Sequence, residues 1–528
     1  MNTRNAYNIR LRKARAKHTV LRHNGVAKAP VGLAVAQAAP QPVQTDAPVL
    51  PHPACDSLPA ASCRHPLTDG YMNARLAHCE DSVKGRFDMI APTLKNIAGI
   101  PRGAGFAAQA REIAAQWLDY ELPESLLDDA WISGPDMKAL YAHCVFSALK
   151  TSAAQFVDDI RRQVETVQDT RNFFLDCGFH AVDISACSDG RLKGMSRYIL
   201  RLPISSFTRR KSYAGTLFDV ETDVHHWEET ELRRFREGIP TTVDAGTRYL
   251  KIAVYHTSSS DSCHEGCAAH GSNELKAMEA ALERLNQFRE AIENSFCCGA
   301  STDLLLIGVD TDTDAIRVHL PDASGNLSIH RFIDNARLYQ TTLGLSADEA
   351  RLAVYEAIRK TALETDGWGA GKGEPHDGMR RLVANLLINN LSQIEYVADL
   401  YSGRYPDIGH AERFISVGDS FEEVQMRNVA YYARMETLEE GVADMDVGIK
   451  IFKGLNVKHG LPVPVAIHYR YNAKVPGSRE RAVARAQRVR DAIKARYAEL
   501  DKNGLLFCHL SVQNQPTGSP IETVEDGL

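Results

Sequence analysis

The sequence predicts an α/β core followed by a degenerate C-terminal repeat of that core, with an all-helical domain and a disordered tail in front. Three observations carry this prediction. Between residues 166 and 405, strand-like apolar runs alternate with helical segments. Residues 406–528 then repeat pieces of that pattern, two of them at a shared offset of 201 residues. The first 54 residues have a composition that cannot build a core.

At 528 residues the chain is too long for one core, and about three domains of roughly 150 residues each are expected. The 44% apolar and 24% charged fractions are those of globular proteins, and a net charge of −6 gives no reason to expect nucleic acid. No apolar run reaches the roughly 18–20 residues that cross a bilayer, so no membrane association is expected. The basic N-terminus lacks the apolar stretch of a secretory signal, and a protein made and kept inside the cell is expected. Eleven irregularly spaced cysteines argue against a disulfide framework and for metal binding or buried thiols.

Residues 1–54 form the tail and linker. No Asp or Glu precedes Asp46, while Arg4, Arg10, Arg12, Lys13, Arg15, Lys17, Arg22 and Lys28 are basic. Residues 26–54 are rich in Ala, Pro, Val and Gln, and bury too little apolar surface to offset their ordering entropy. A basic element that orders on an acidic partner, a solubilising tail and a targeting segment are the three readings.

Residues 55–165 read as the helical domain. Phe106, Ile113, Trp117 and Leu118 recur at helical spacing, as do Leu140, Cys144, Leu149, Phe156, Ile160, Val164 and Val167. Ser133-Gly134-Pro135-Asp136 supplies the start of a long helix. Cys55, Cys63 and Cys79 with His65 and His78 match no zinc spacing and read as core or surface residues.

Residues 166–405 form the core. The runs Phe179–Ile184, Tyr198–Leu202 and Leu250–Tyr255, an amphipathic helix over Glu274–Phe296, and the run Leu304–Val309 follow in order. Strand, helix, strand implies a parallel crossover. In residues 406–528, Val465–His468 resembles Ala253–His256. Arg490–Ile493 and Gly504–Phe507 match Arg289–Ile292 and Asp303–Leu306, each 201 residues on. His468 follows His256 by 212 residues, so the copy is shorter in the intervening loop. Phe414–Asp419 echoes Asp183–Ser188, with Gly418 where Cys187 would stand.

The chemistry gathers at Cys187-Ser188-Asp189-Gly190-Arg191, just past the first strand-like run. At a strand end, positions i and i+2 point the same way, so Cys187 and Asp189 can face one cavity. Taken alone, this segment reads equally as a buried cysteine before a polar turn. His256 stands at a second strand end, with Cys267 in the loop that follows. Two thiolates and an imidazole bind zinc and leave a fourth position for water. Asp189 would accept a hydrogen bond from that water, and Arg191 would hold Asp189 ionised.

These residues resemble the site of the β-type carbonic anhydrases: Cys187-x-Asp189-x-Arg191, a strand-end His and a later Cys. The long gap from His256 to Cys267, the phrase Cys263-His264-Glu265-Gly266-Cys267, and the helical domain in front resemble the carboxysome shell carbonic anhydrases (the epsilon class), over residues 60–528. The resemblance implies a core of β-carbonic-anhydrase type and one zinc ion per subunit on Cys187, His256 and Cys267. It implies a zinc hydroxide that hydrates CO2 reversibly to bicarbonate, oriented by Asp189 and Arg191, in a carboxysome where CO2 is supplied to Rubisco. It also implies a homodimer or larger oligomer, with the basic tail bound to shell protein or Rubisco. His264, at the His-x-x-Cys spacing from Cys267, is the alternative histidine ligand.

Two other classes stay open: a non-catalytic zinc-stabilised carboxysome scaffold, and a zinc hydrolase of deaminase type. A scaffold site would not need Asp189 and Arg191, and a deaminase needs a Pro-Cys-x-x-Cys pair that the sequence lacks. The Gly367–Gly373 stretch lacks the first Gly and the Ser/Thr of a phosphate loop. Asp310-x-Asp312-x-Asp314 lacks the glycine and final Glu of a calcium loop and reads as a hairpin turn. Cys297-Cys298 read as packing residues.

Overall fold

A computed structural model describes residues 65–127, 132, 134–162, 169–202, 208–237, 248–296, 302–364, 373–407, 409–419, 421, 426–435, 438–515 and 519–525. The basic tail, Cys55, Cys63, Ser133, Cys297, Cys298, the 366–372 loop, Val164 and Val167 lie outside the described residues, as do the side chains of Phe156 and Ile160.

Helices Gly70–Asp88, Ile90–Ala98, Phe106–Trp117 and Met137–Arg162 come first, with no strand among the described residues before Phe179. Asp136 caps the longest of them: its Oδ1 accepts from the backbone N–H of Lys138 and of Ala139, both at 3.0 Å. Trp117, expected in the core, is 48% exposed, because the buried line of its helix runs Phe106, Ala110, Ala114 and ends one turn earlier. His65 is buried and satisfied, its Nε2 2.8 Å from Thr342 Oγ1. The helical layer packs on the C-terminal part of the chain, where Phe87 stacks on Phe414 and Phe146 on His509.

Two sheets follow. The first contains β1 (Phe179–Cys187), β2 (Thr208–Tyr213), β3 (Arg248–Thr257), β4 (Thr302–Asp310), β5 (Ile316–His319) and β6 (Phe332–Asp334), in the order β2-β1-β3-β4-β5-β6. The second contains β7 (Phe414–Gly418), β8 (Ala430–Ala433), β9 (Val463–Tyr471), β10 (Leu506–Asn514) and β11 (Ile521–Glu525), in the order β11-β10-β9-β7-β8. Read from β2 and from β8, the first five strands of each sheet follow one order, four parallel and then one antiparallel. Apart from the edge strand β2, the parallel strands of both sheets are almost wholly buried, which is why they read as apolar runs. The helix expected over Glu274–Phe296 spans those residues and makes the β3-to-β4 crossover.

Two expectations need correction. The run Tyr198–Leu202 is not a strand: Met195–Tyr198 is a helical turn, and the neighbour of β1 is instead Thr208–Tyr213. That strand, Thr-Arg-Arg-Lys-Ser-Tyr, lies at a sheet edge and is only half-buried, so it carries no apolar signal. The second concerns the match of β7 to β1. Ala186 pairs with Val254, whereas Val417 pairs with Ile467 and Gly418 with His468. With His256 and His468 set level, Val417 takes the place of Cys187, and Gly418 and Asp419 those of Ser188 and Asp189. A short apolar match cannot fix a register that hydrogen bonding fixes residue by residue.

Candidate active site

The site forms where β1 and β3, adjacent and parallel, end together. Cys187 is the last residue of β1, and His256 the penultimate residue of β3. The chain leaves β1 through Asp189, which caps a short 3-10 turn, Gly190–Leu192. Asp189 and Cys187 therefore converge through a capped turn rather than through strand alternation.

Cys267 arrives on the loop after β3, and that loop is tied down along its length. Ser258 Oγ donates to Asp312 Oδ2 at 2.9 Å, and the Ser260 N–H to the same oxygen at 2.8 Å. The Cys267 carbonyl accepts from the N–H of His270 and of Ser272 at 3.0 and 2.9 Å. The β4–β5 turn, through Asp310 and Asp312, thus anchors the start of the Cys267 loop.

Cys187 Sγ and Cys267 Sγ lie 3.8 Å apart. One donor atom each from Cys187, His256 and Cys267 lies within 4.8 Å of the others, and all three residues are buried. His256 is 1% exposed, yet neither ring nitrogen has a hydrogen-bond partner among the described residues. Shared hydrogen bonding with Cys267, together with burial, pushes the Cys187 thiol well above its usual range, while the same bond lowers Cys267. Two buried thiols this close cannot both ionise unless a cation joins them. The S, S, N donor set fits zinc, with imidazole and thiolate as its preferred ligands. His264 is elsewhere: its side chain is 79% exposed and pairs with Asp261 at 2.9 Å.

Asp189 and Arg191 meet in a two-point ion pair, Nε to Oδ1 at 3.0 Å and Nη2 to Oδ2 at 2.8 Å. Burial opposes the charge on Asp189, but Arg191, His256 and His410 outweigh it and hold the carboxyl well below its usual range. Asp189 Oδ2 stands 3.4 Å from His256 Nε2, so an ionised acceptor faces the Cys187, His256 and Cys267 group. Arg191 also donates from Nη1 to the Glu265 carbonyl at 2.7 Å, two residues before Cys267. One guanidinium therefore sets both the carboxylate and the loop that brings the second thiol.

Three further residues were not legible in the sequence. His410 Nε2 lies 3.8 Å from Asp189 Oδ2, and its Nδ1 lies 3.0 Å from Glu412 Oε1. Burial opposes the imidazolium, but Asp189 and Glu412 outweigh it and raise His410 to about 9. Glu412 Oε1 accepts the Gly190 N–H at 3.0 Å, and a Cβ on Gly190 would run into the Glu412 side chain. Asn428 donates its N–H to the Gly190 carbonyl at 2.8 Å. All three sit in loops far along the chain, where no periodicity or motif marks them.

Family comparisons divide the chain across this site. The model described as Carboxysome Shell Carbonic Anhydrase, catalytic domain, matches residues 169–410. Those described as its N-terminal and C-terminal parts match residues 65–157 and 411–528. The chain belongs to the carboxysome shell carbonic anhydrase family. Membership makes it a carbonic anhydrase of the carboxysome. It is 57% identical to the carboxysome shell carbonic anhydrase of Halothiobacillus neapolitanus, over 90% of this chain and 92% of that one. It is 47% identical to the protein of that name from Parasynechococcus marenigrum, over 89% of this chain and 80% of the relative. The catalytic match of the family ends on His410, and Glu412 lies in the C-terminal match, so both parts build the surroundings of Asp189.

Proposed function

We propose that this carbonic anhydrase holds one zinc ion on Cys187, His256 and Cys267, and that Asp189 and Arg191 orient the reacting water for interconversion of CO2 and bicarbonate. The observation that carries the reading is a buried histidine, its ring nitrogens without a hydrogen bond among the described residues, beside two thiols. Zinc, when bound, supplies the Lewis acidity that makes water a nucleophile near neutral pH. Arg191 holds Asp189 ionised, and Asp189 offers an oriented acceptor for the proton of that water. Holding the water in one orientation, with its lone pair turned to the CO2 carbon, is the service this pair provides. Two thiolates neutralise the formal charge of the metal, so orientation carries more of the rate than at an all-histidine site.

Asp189→Ala tests this assignment. Zinc content should stay at one per chain while CO2 hydration falls by about 10²–10³-fold, the usual cost of losing one oriented polar group. Full zinc with an undiminished rate would refute the role of Asp189.

The common strand order of the two sheets supports reading residues 406–528 as a degenerate copy of the β-type core, pairing with residues 166–405 inside one chain and leaving one site where two would stand. In the carboxysome the enzyme would supply CO2 to Rubisco, as a homodimer or larger assembly. The basic residues 1–54, with no acid before Asp46, would tether it to Rubisco or shell protein by charge. Deleting them should abolish encapsulation and leave activity in solution unchanged; normal encapsulation of the truncated chain would remove the tether.

A further inference from the structure

Helix Ala347–Leu363 has two apolar sides, and only one of them is covered. A capping box between Ser346 and Glu349 fixes its start. Ala350, Val354, Ile358 and Ala362, spaced by four, are buried. Val354, Ile358 and Ala362 join the core that also holds Met379, Leu382 and Leu386 of helix Asp377–Leu400. Turned away from that core, Leu352, Tyr355 and Leu363 are 60, 50 and 68% exposed, and Leu345 just before the helix is exposed as well. Of the twelve large apolar side chains that stand exposed among the described residues, four thus fall within residues 345–363. Single exposed apolar side chains are ordinary, whereas a cluster marks a contact surface. A helix that is apolar on two sides is normally buried on both.

The exposed side is also ordered. Asp348, Leu352, Tyr355 and Arg359 stand at i, i+4, i+7 and i+11, one line along the helix. From either end the line runs charge, apolar, apolar, charge, with opposite signs at its two ends. An identical helix laid antiparallel across it sets Asp348 against Arg359 of the second copy and Leu352 against Tyr355 of the second copy, each pairing occurring twice. Such a contact is isologous: it closes on itself and leaves none of this line unmatched. The end charges are not spent within the chain. Arg359 has no ion pair among the described residues. Asp348, almost wholly exposed, reaches only Arg351, at 3.9 Å.

We propose that the exposed side of helix Ala347–Leu363 is the two-fold interface between copies of this chain, formed by antiparallel pairing of this helix with itself. This interface rests on the homodimer reading above and gives it a surface. It uses none of the proposed zinc ligands and neither member of the Asp189–Arg191 pair.

Sedimentation of the full-length protein tests it. Leu352→Glu puts a carboxylate into the middle of the contact, and should raise the dissociation constant between copies about 30-fold or more, the loss of a central anchor, and halve the number of subunits per particle. Arg359→Glu sets acid against acid at both ends and should weaken assembly in the same direction. Adding Asp348→Arg to Arg359→Glu in one chain restores opposite signs at both ends and should restore assembly, which neither misfolding nor a general charge effect would do. CO2 hydration per chain should be unchanged in all three. A wild-type chain that sediments as a monomer overturns the homodimer reading itself. A wild-type assembly left intact by both Leu352→Glu and Arg359→Glu overturns only this interface. Failure of the charge swap to rescue Arg359→Glu overturns the antiparallel pairing. Should Leu352→Glu fail to fold, Tyr355→Glu takes its place with the same expected loss.

Discussion

At the carboxyl ends of β1 and β3 stand a thiol and an imidazole with open donor atoms; at the ends of β7 and β9 the same sheet plan presents Val417, Gly418 and His468. His256 and His468 are both buried strand-end histidines, yet their surroundings differ. His468 has Nδ1 3.0 Å from Ser511 Oγ and its ring stacked on Phe421 at 4.3 Å. His256 has neither nitrogen hydrogen-bonded among the described residues, only Asp189 Oδ2 at 3.4 Å from Nε2, and two sulfurs stand beside it. A histidine at a strand end is therefore not a candidate ligand by position alone. It becomes a candidate when its neighbours supply further donors and leave its nitrogens without hydrogen bonds. The acids differ in the same sense: Asp189 is set by Arg191 toward the ligand group, whereas Asp419 accepts a backbone N–H.

The largest expected effect separates the two histidines. His256→Ala should lose bound zinc and about 10³-fold or more of the CO2 hydration rate, since the activated water goes with the metal. His468→Ala should keep zinc and a rate within a few-fold of wild type. Metal analysis beside stopped-flow hydration measures both, and a shared outcome would erase the distinction between the sheets.

The two glycines give an intermediate effect. Gly418 has φ +93°, and a Cβ there would run into the backbone carbonyl of His468, which cannot move without breaking the sheet. Gly418→Ala should cost about 2–4 kcal/mol of stability with zinc retained. Gly190→Ala meets the flexible Glu412 side chain instead. It should cost less stability, read as a smaller shift of the urea midpoint, and more activity, because Glu412 would release Gly190. The opposite ranking would show that the strain has been misplaced.

The effect that vanishes at neutral pH, and is therefore the smallest there, is in the pH dependence of stability. Burial lowers His468 to about 3, so the folded protein keeps it neutral where the unfolded chain, with an ordinary value of about 6.5, takes up a proton. Its contribution is fully present above the unfolded value and is lost as pH falls from about 6.5 toward 3, by up to ~1.4 kcal/mol per pH unit. His468→Gln should flatten the fall in stability over that window, and an unaltered slope in urea unfolding against pH would show that His468 is not the group responsible.

The parts of the site legible in the sequence were those carried by strands and by a short spacing. Cys187 and His256 follow runs that read as buried strands, and Asp189 and Arg191 lie within five residues of Cys187. His410 and Glu412 left no trace, because they reach Asp189 and Gly190 from about 220 residues away through loops without periodicity. The edge strand Thr208–Tyr213 was hidden for a related reason: its polar side chains serve the seam between the sheets rather than a core.

By itself, the sequence determined which residue types are available for the chemistry and where the strands break, since burial on both faces demands apolar runs and the ends of those runs are read directly. Tertiary structure decided which of those residues meet. It brought His256 rather than His264 to the two sulfurs, because β1 and β3 pair in parallel while His264 lies on an exposed loop. It set Val417, not Gly418, level with Cys187, because register follows from hydrogen bonds between strands and not from likeness along them.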